Sequence, residues 1–246
     1  MKKLIFVLIM ISLSMGFITC KKNDEKLETS KKTYIVGTDA EYPPYEYLEN
    51  NKIIGFDADI IEELSKRVGF NYKWSNMNFD GLISALQSKK IDILIAGMTI
   101  TKEREKFINF SLPYISPNIC YLVLKNKNYK DSKELEGKKF GVVLGTTEEA
   151  AAKKIPGVEI MLFSGYAPAL LALKAYKIDA MIIDEIVAKK FMEKNPEIEI
   201  TGAVAGGDKA MAFNKDDIDL KNKIDIELEK MLNDGTIQNL KEKHGM

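Results

Sequence analysis

The stretch Ile95-Ala96-Gly97-Met98-Thr99-Ile100-Thr101-Lys102-Glu103-Arg104 decides how the rest of this chain is read. It starts at the end of an apolar run, Ile91 to Ala96, interrupted only by Asp92. Such a run reads as a strand covered on both faces, as in a parallel sheet. In open α/β sheets, ligands sit beyond the carboxyl ends of the strands. Gly97 lets another molecule approach the main chain, because no Cβ blocks it. Thr99 offers a hydroxyl and an N–H, and Arg104 offers a planar fork that suits a carboxylate. The expectation is that this turn grips the carboxylate of a free amino acid. The same residues also suit a plain strand-to-helix turn, capped by Thr99 or Thr101 and followed by a solvated arginine.

Composition narrows the field. The 246 residues carry 36 basic and 36 acidic side chains, a formal net charge of zero. Nothing there argues for nucleic acid or another polyanion. Hydrophobic residues make up 46% of the chain, enough for ordinary cores. The length suits one large or two small domains. Residues 1–20 read as a targeting segment, with Lys2 and Lys3 ahead of an apolar stretch, Leu4 to Ile18, that is short for a membrane span. Cys20 follows Phe17-Ile18-Thr19 directly. This resembles a bacterial lipoprotein signal peptide, which implies a lipid on Cys20. Phe17 and Thr19 depart from the common lipobox, and plain secretion is the alternative. Residues 21–32 are polar and read as a flexible tether. Cys120, inside the apolar run Ile119 to Leu124, reads as a buried inert thiol, and no disulfide framework exists.

The mature sequence alternates strands and helices. Tyr34-Ile35-Val36-Gly37 is a short strand, and Pro43 and Pro44 force an extended loop after it that carries Asp39, Glu41 and three tyrosines. Asp57, Asp59, Glu62 and Glu63 load the first turns of a helix whose apolar stripe is Ile60, Ile61, Leu64 and Val68, ended by Gly69. Strand 70–74, a helix opening at Phe79-Asp80-Gly81 and strand 91–97 follow. This order argues for βαβ units and a parallel sheet. The pattern then recurs: Ile83 to Gly97 aligns with Leu170 to Asp184, helix, turn and buried strand in both. The alignment sets Gly97 and Asp184 at equivalent strand ends, on opposite walls of one cleft if the units face each other. Independent helices before buried strands give the same match by chance.

The second unit holds strand 139–144, then Gly145-Thr146-Thr147-Glu148-Glu149 opening a helix, Ala150 to Ile155. A helix start suits an anion, although Thr146 or Thr147 also serves as a simple cap. Strand 159–163, helix 167–176, strand 179–184, helix 185–194 and strand 209–214 follow, and helices 217–233 and 236–243 close the chain. Two strand-like crossings, about 118–125 and 209–214, imply a hinge, with the tail returning to the first domain.

Eight blocks in order carry a family resemblance: Gly37-Thr38-Asp39 with Pro43-Pro44-Tyr45-Glu46, Gly55 to Asp59, Phe79 to Ile83, Ala96 to Thr101 with Arg104, Phe110-Ser111, Pro113-Tyr114, Gly145-Thr146-Thr147, and Asp234-Gly235-Thr236. In these the chain resembles family 3 solute-binding proteins, the polar amino-acid receptors of ABC importers. The resemblance implies a type II periplasmic-binding-protein fold, α/β, with two lobes joined by a two-strand hinge: lobe 1 from 33–117 plus 215–246, lobe 2 from 118–214. It implies that Arg104 pairs with the ligand carboxylate and Asp184 with its ammonium. Gly97 and Thr99, flanking Met98, supply contacts to both groups. Thr147 offers its N–H, with Thr146 beside it. Tyr42 and Phe79 sandwich the side chain, and Asp39 reaches its tip. It also implies a monomer that meets a membrane permease and ATPase, with no cofactor and no metal. His244 stands where many members have an aromatic, and Leu144 replaces an often polar position.

The side-chain preference stays open between a cationic ligand, favoured by Asp39 and Glu41, and an amide; Glu41 pointing to solvent is the plain alternative. Two other functions compete: an enzyme like the cyclic-amino-acid dehydratases, and an amino-acid-sensing lipoprotein. His244 is the single histidine and lies near the end, so nucleophilic triads lack a part. No metalloprotease or α/β-hydrolase motif occurs.

Overall fold

The computed structural model describes residues 31–246. Cys20, the segment 1–20 and nearly all of the tether 21–32 lie outside them. The first half comprises β1 (Thr33–Thr38), β2 (Glu41–Tyr42), β3 (Glu46–Glu49), β4 (Lys52–Ile54), α1 (Phe56–Val68), β5 (Asn71–Asn76), α2 (Phe79–Gln87), β6 (Ile93–Leu94), α3 (Lys102–Glu105) and β7 (Ile108–Phe110). The second comprises β8 (Asn118–Leu124), β9 (Lys139–Val143), α4 (Thr147–Ala152), β10 (Glu159–Phe163), α5 (Tyr166–Lys174), β11 (Ala180–Asp184), α6 (Glu185–Lys194) and β12 (Ile198–Ala205). β13 (Ala212–Asn214), α7 (Ile218–Asn233) and α8 (Thr236–Lys243) return to the first half.

Two five-stranded sheets organise these elements, in the orders β5-β1-β6-β13-β7 and β10-β9-β11-β8-β12. β1 runs parallel to β5 and β6, and β9 runs parallel to β10 and β11. The strands that arrive from the opposite half, β13 and β8, run antiparallel to their neighbours. Each sheet is therefore mixed rather than wholly parallel, because a chain crossing between halves enters from the far end. Buried side chains such as Leu82, Leu86, Ile91 and Leu94 form one core, and Phe140, Val142, Val123 and Ile182 another. The tail helices pack on α1, where Arg67 bonds Asp234 at 2.7 Å and Thr236 at 2.8 Å.

Of the expected crossings at 118–125 and 209–214, only residues 209–211 run between the two sheets. Residues 118–124 and 212–214 are sheet members, as their apolar character demands. The connecting stretches are 111–117 and 206–211, which hold Pro113, Pro117, Gly206 and Gly207. They run side by side: Lys209 N donates to Ile115 O at 2.8 Å and Tyr114 N to Lys209 O at 3.0 Å. β12 has no counterpart in the expected element order. It pairs antiparallel with β8, with a register shift between Ile200 and Ala203. The ladder of β6 is only two residues long, although the run around it is buried as expected.

Candidate functional site

Gly97 follows the carboxyl end of β6 with φ +52, a left-handed conformation that favours glycine. A Cβ there would meet the Tyr42 ring at 3.0 Å, so the ring position also requires glycine. The Gly97 N–H donates to Asp57 Oδ2 at 2.9 Å, and Tyr114 Oη donates to the same oxygen at 2.9 Å. Asp57 thus fixes the turn from beneath. Glu46 is fully buried beside it, and burial, then the Asp57 charge, hold its carboxyl well above the usual range. As ionised groups, the Glu46 oxygens and Asp57 Oδ1 find no donor. One proton on Glu46, donated to Asp57, resolves both facts.

α3 places Arg104. The Thr101 hydroxyl caps it by accepting the Arg104 N–H at 3.2 Å. The guanidinium is buried. Its Nη1 donates to Thr99 O at 2.6 Å, and its Nη2 donates to Gly145 O of the second half at 3.0 Å. It lies 5.4 Å from the Phe79 ring centroid. Among the described residues no carboxylate forms an ion pair with it. Desolvation lowers its pKa, and the nearby charge of Glu148 opposes that shift.

The second half contributes the facing wall. Thr146 turns inward, its hydroxyl donating to Val143 O at 2.7 Å. The Thr147 hydroxyl donates to Glu148 Oε2 at 3.1 Å and stands 3.5 Å from the Thr99 hydroxyl. α4 starts at Thr147 rather than Ala150, so Thr147 and the buried Glu148 sit in the first turn. The Tyr166 ring lies 4.6 Å from that of Tyr42, which in turn stacks on Tyr45 at 5.4 Å.

Asp39 is buried, and its Oδ2 accepts the Phe79 N–H at 3.1 Å. Burial, then the neighbouring charge of Glu41, push its carboxyl up to about 7. Glu41 is exposed and lies against Gly165 at the start of α5, reaching across to the second half. Asp184 is fully buried at the end of β11. Its Oδ1 accepts the Ile186 N–H at 2.8 Å, capping α6, and its Oδ2 accepts from Tyr45 Oη at 3.0 Å.

Asp39, Tyr42, Phe79, Gly97, Thr99, Arg104, Thr146 and Thr147 therefore line one cleft between the halves. Two expected residues do not. Met98 points into the first core, fully buried among Leu94, Ala96 and Ile108. Asp184 stands behind the lining, with Lys209 between it and the cleft. Sequence reasoning missed Glu46, Glu148, Tyr166 and Lys209 as lining residues. Glu46 and Glu148 lie inside quoted motifs, where a buried carboxylate was the available signal; Tyr166 and Lys209 gave none. His244 sits outside the cleft, bonded to Asp59 at 2.6 Å and edge-on to Phe56. Leu144 is exposed and does not line the site. Cys120 is buried, which pushes its thiol up to about 12 and keeps it inert.

Two α/β halves that bracket a buried arginine, buried carboxylates and tyrosines define a two-lobed binding protein for a small polar solute. The chain belongs to the bacterial extracellular solute-binding proteins, family 3, whose profile matches residues 34–246. It is 36% identical over 232 residues to a probable histidine-binding protein of Campylobacter jejuni, covering 92% of this chain and 91% of that one. It is 32% identical over 250 residues to the arginine-binding extracellular protein ArtP of Bacillus subtilis, covering 99% and 98%. The crystal structure of a substrate-binding protein of an amino acid ABC transporter superposes with a TM-score of 0.82 at 30% identity, covering 86% of this chain and 98% of that one. Among the described residues no helix is long and apolar enough to cross a membrane.

Proposed function

We propose that this protein captures a free L-amino acid with a cationic or polar side chain outside the cytoplasm and presents it to the permease and ATPase of an ABC importer. The observation that carries this reading is Arg104. Its buried guanidinium is held by main-chain carbonyls from both halves and has no carboxylate partner among the described residues. A ligand carboxylate supplies a direct ion-pair partner, with Thr99 and the first turn of α4 beside it. Asp184 and the Gly97 carbonyl supply acceptors for an α-ammonium. Asp39, walled by Tyr42, Tyr166 and Phe79, favours a cationic or hydrogen-bond-donating side chain at the far end. Because lining residues come from both halves, entry requires the halves to part at 111–117 and 206–211, which we take as the hinge between lobes.

The reading includes a lipid on Cys20 that tethers a monomeric receptor to the membrane, and no catalytic role. His244, the single histidine, is engaged with Asp59 on the first half and does not face the cleft. Fluorimetric melting of the mature chain against the twenty common amino acids tests the reading, because a ligand stabilises only the folded state that binds it. A rise in Tm with arginine, lysine, histidine or glutamine is expected. No rise with any amino acid overturns it.

A further inference from the structure

Lys209 lies on the connecting stretch 206–211, yet its ammonium reaches into the site. Nζ donates to Gly97 O at 2.9 Å and stands 3.4 Å from Asp184 Oδ2, with only 3% of the Lys209 side chain and none of Asp184 exposed. The same ammonium faces the Tyr42 and Tyr45 rings at 5.6 and 5.5 Å. Its main chain is pinned on both sides, to Ile115 and Tyr114 through its own N–H and carbonyl, and by the Ala210 N–H to Met98 O at 3.0 Å. Gly97 O and Asp184 are the two acceptors that the proposed function gives to a ligand's α-ammonium. Asp184 Oδ1 is already committed to Ile186 and Oδ2 to Tyr45.

We propose that Lys209 is a specificity-determining residue whose ammonium holds the amine subsite as a tethered competitor of the ligand's own α-ammonium. This rests on the amino-acid reading above. A ligand amine gains these acceptors only by sharing them with a like charge or by displacing it. The α-ammonium therefore contributes less to affinity than a carboxylate facing a cleft normally gives. The site accordingly tolerates carboxylates that keep the side chain and lack the amine, a ligand class distinct from free amino acids.

Calorimetry of the mature wild type, Lys209→Met and Lys209→Gln against L-arginine and its des-amino analogue, 5-guanidinopentanoate, tests this. The reading is the ratio of the two Kd values within one protein, which a general loss of stability does not move. Wild type is expected to discriminate the pair by less than about tenfold, and both variants by at least about tenfold more, through tighter L-arginine binding. An unchanged ratio in both variants overturns the role of Lys209, as does wild-type discrimination above about tenfold. If wild type binds neither L-arginine nor any other common amino acid, the reading of the site itself fails and this inference falls with it.

Discussion

Replacing Arg104 by alanine is expected to remove most of the affinity while leaving the fold in place. The guanidinium is buried and makes two hydrogen bonds, both to carbonyls, with no acidic partner among the described residues. Its own contribution to stability is therefore small, since desolvation of the cation opposes the two bonds. Bound ligand changes the balance, because a carboxylate placed against the fork is neutralised inside a cleft shielded from water. Truncating one partner of such a buried charge pair costs about 2–5 kcal/mol, most of it from the carboxylate left without a counter-ion. At 1.4 kcal/mol per decade this is roughly a 30- to several-thousand-fold rise in Kd. Arg104→Lys keeps the charge and loses the planar fork, so it falls between wild type and alanine. Calorimetry of the three proteins with L-arginine gives the values, and melting of the ligand-stripped proteins checks that they are folded. A folded Arg104→Ala variant with Kd within threefold of wild type refutes the carboxylate assignment.

Three further outcomes follow from the geometry. Asp184→Asn keeps the acceptor that caps α6 but removes the charge facing Lys209 and a ligand amine; Kd for amino acids is expected to rise by about 3- to 10-fold by calorimetry, and unchanged affinity contradicts the assignment. Asp39, raised to about 7, favours the folded state most below its unfolded value of 3.8, and this stability is lost as pH rises through 7. Binding of a cationic side chain needs the ionised form, so affinity for L-arginine should climb up to tenfold per unit as pH rises toward 7 and then level off; a flat calorimetric profile from pH 5.5 to 8, or one unaltered in Asp39→Asn, contradicts this. Tyr166→Ala removes a ring face beside Tyr42 and should weaken L-arginine by about 3- to 30-fold, while Tyr166→Phe retains it; equal losses in both variants contradict a stacking role.

Much of the site was legible because its residues sit at strand ends where local chemistry is special. Gly97 reads as an approach point from the sequence, and its positive φ and the Tyr42 ring above it agree. Arg104 reads as a planar fork that suits a carboxylate, and the short α3 carries its guanidinium to the carbonyls of Thr99 and Gly145. The internal repeat aligned Gly97, three residues past β6, with Asp184, the last residue of β11, but it carried no information about Lys209, which lines the cleft 3.4 Å from Asp184. That lysine comes from a stretch more than a hundred residues from Gly97, and long-range placement leaves no periodic trace. Met98 shows the limit of adjacency: it lies between two lining residues in the sequence, and the turn at Gly97 sends its side chain into the core. The crossings between the halves differ from the expected ones for a related reason. Apolar runs mark strands that belong to sheets, whereas the links between halves carry the prolines and glycines that end strands.

The central claim is that two α/β halves close on a small dipolar molecule through oppositely charged groups. Titrating the unfolded-and-refolded, ligand-stripped protein with each common amino acid in a calorimeter addresses it most directly. Saturable one-to-one heat with at least one cationic or polar amino acid, with Kd raised at least about 30-fold in Arg104→Ala, is the result this structure predicts. Silence toward all twenty from correctly refolded protein contradicts it.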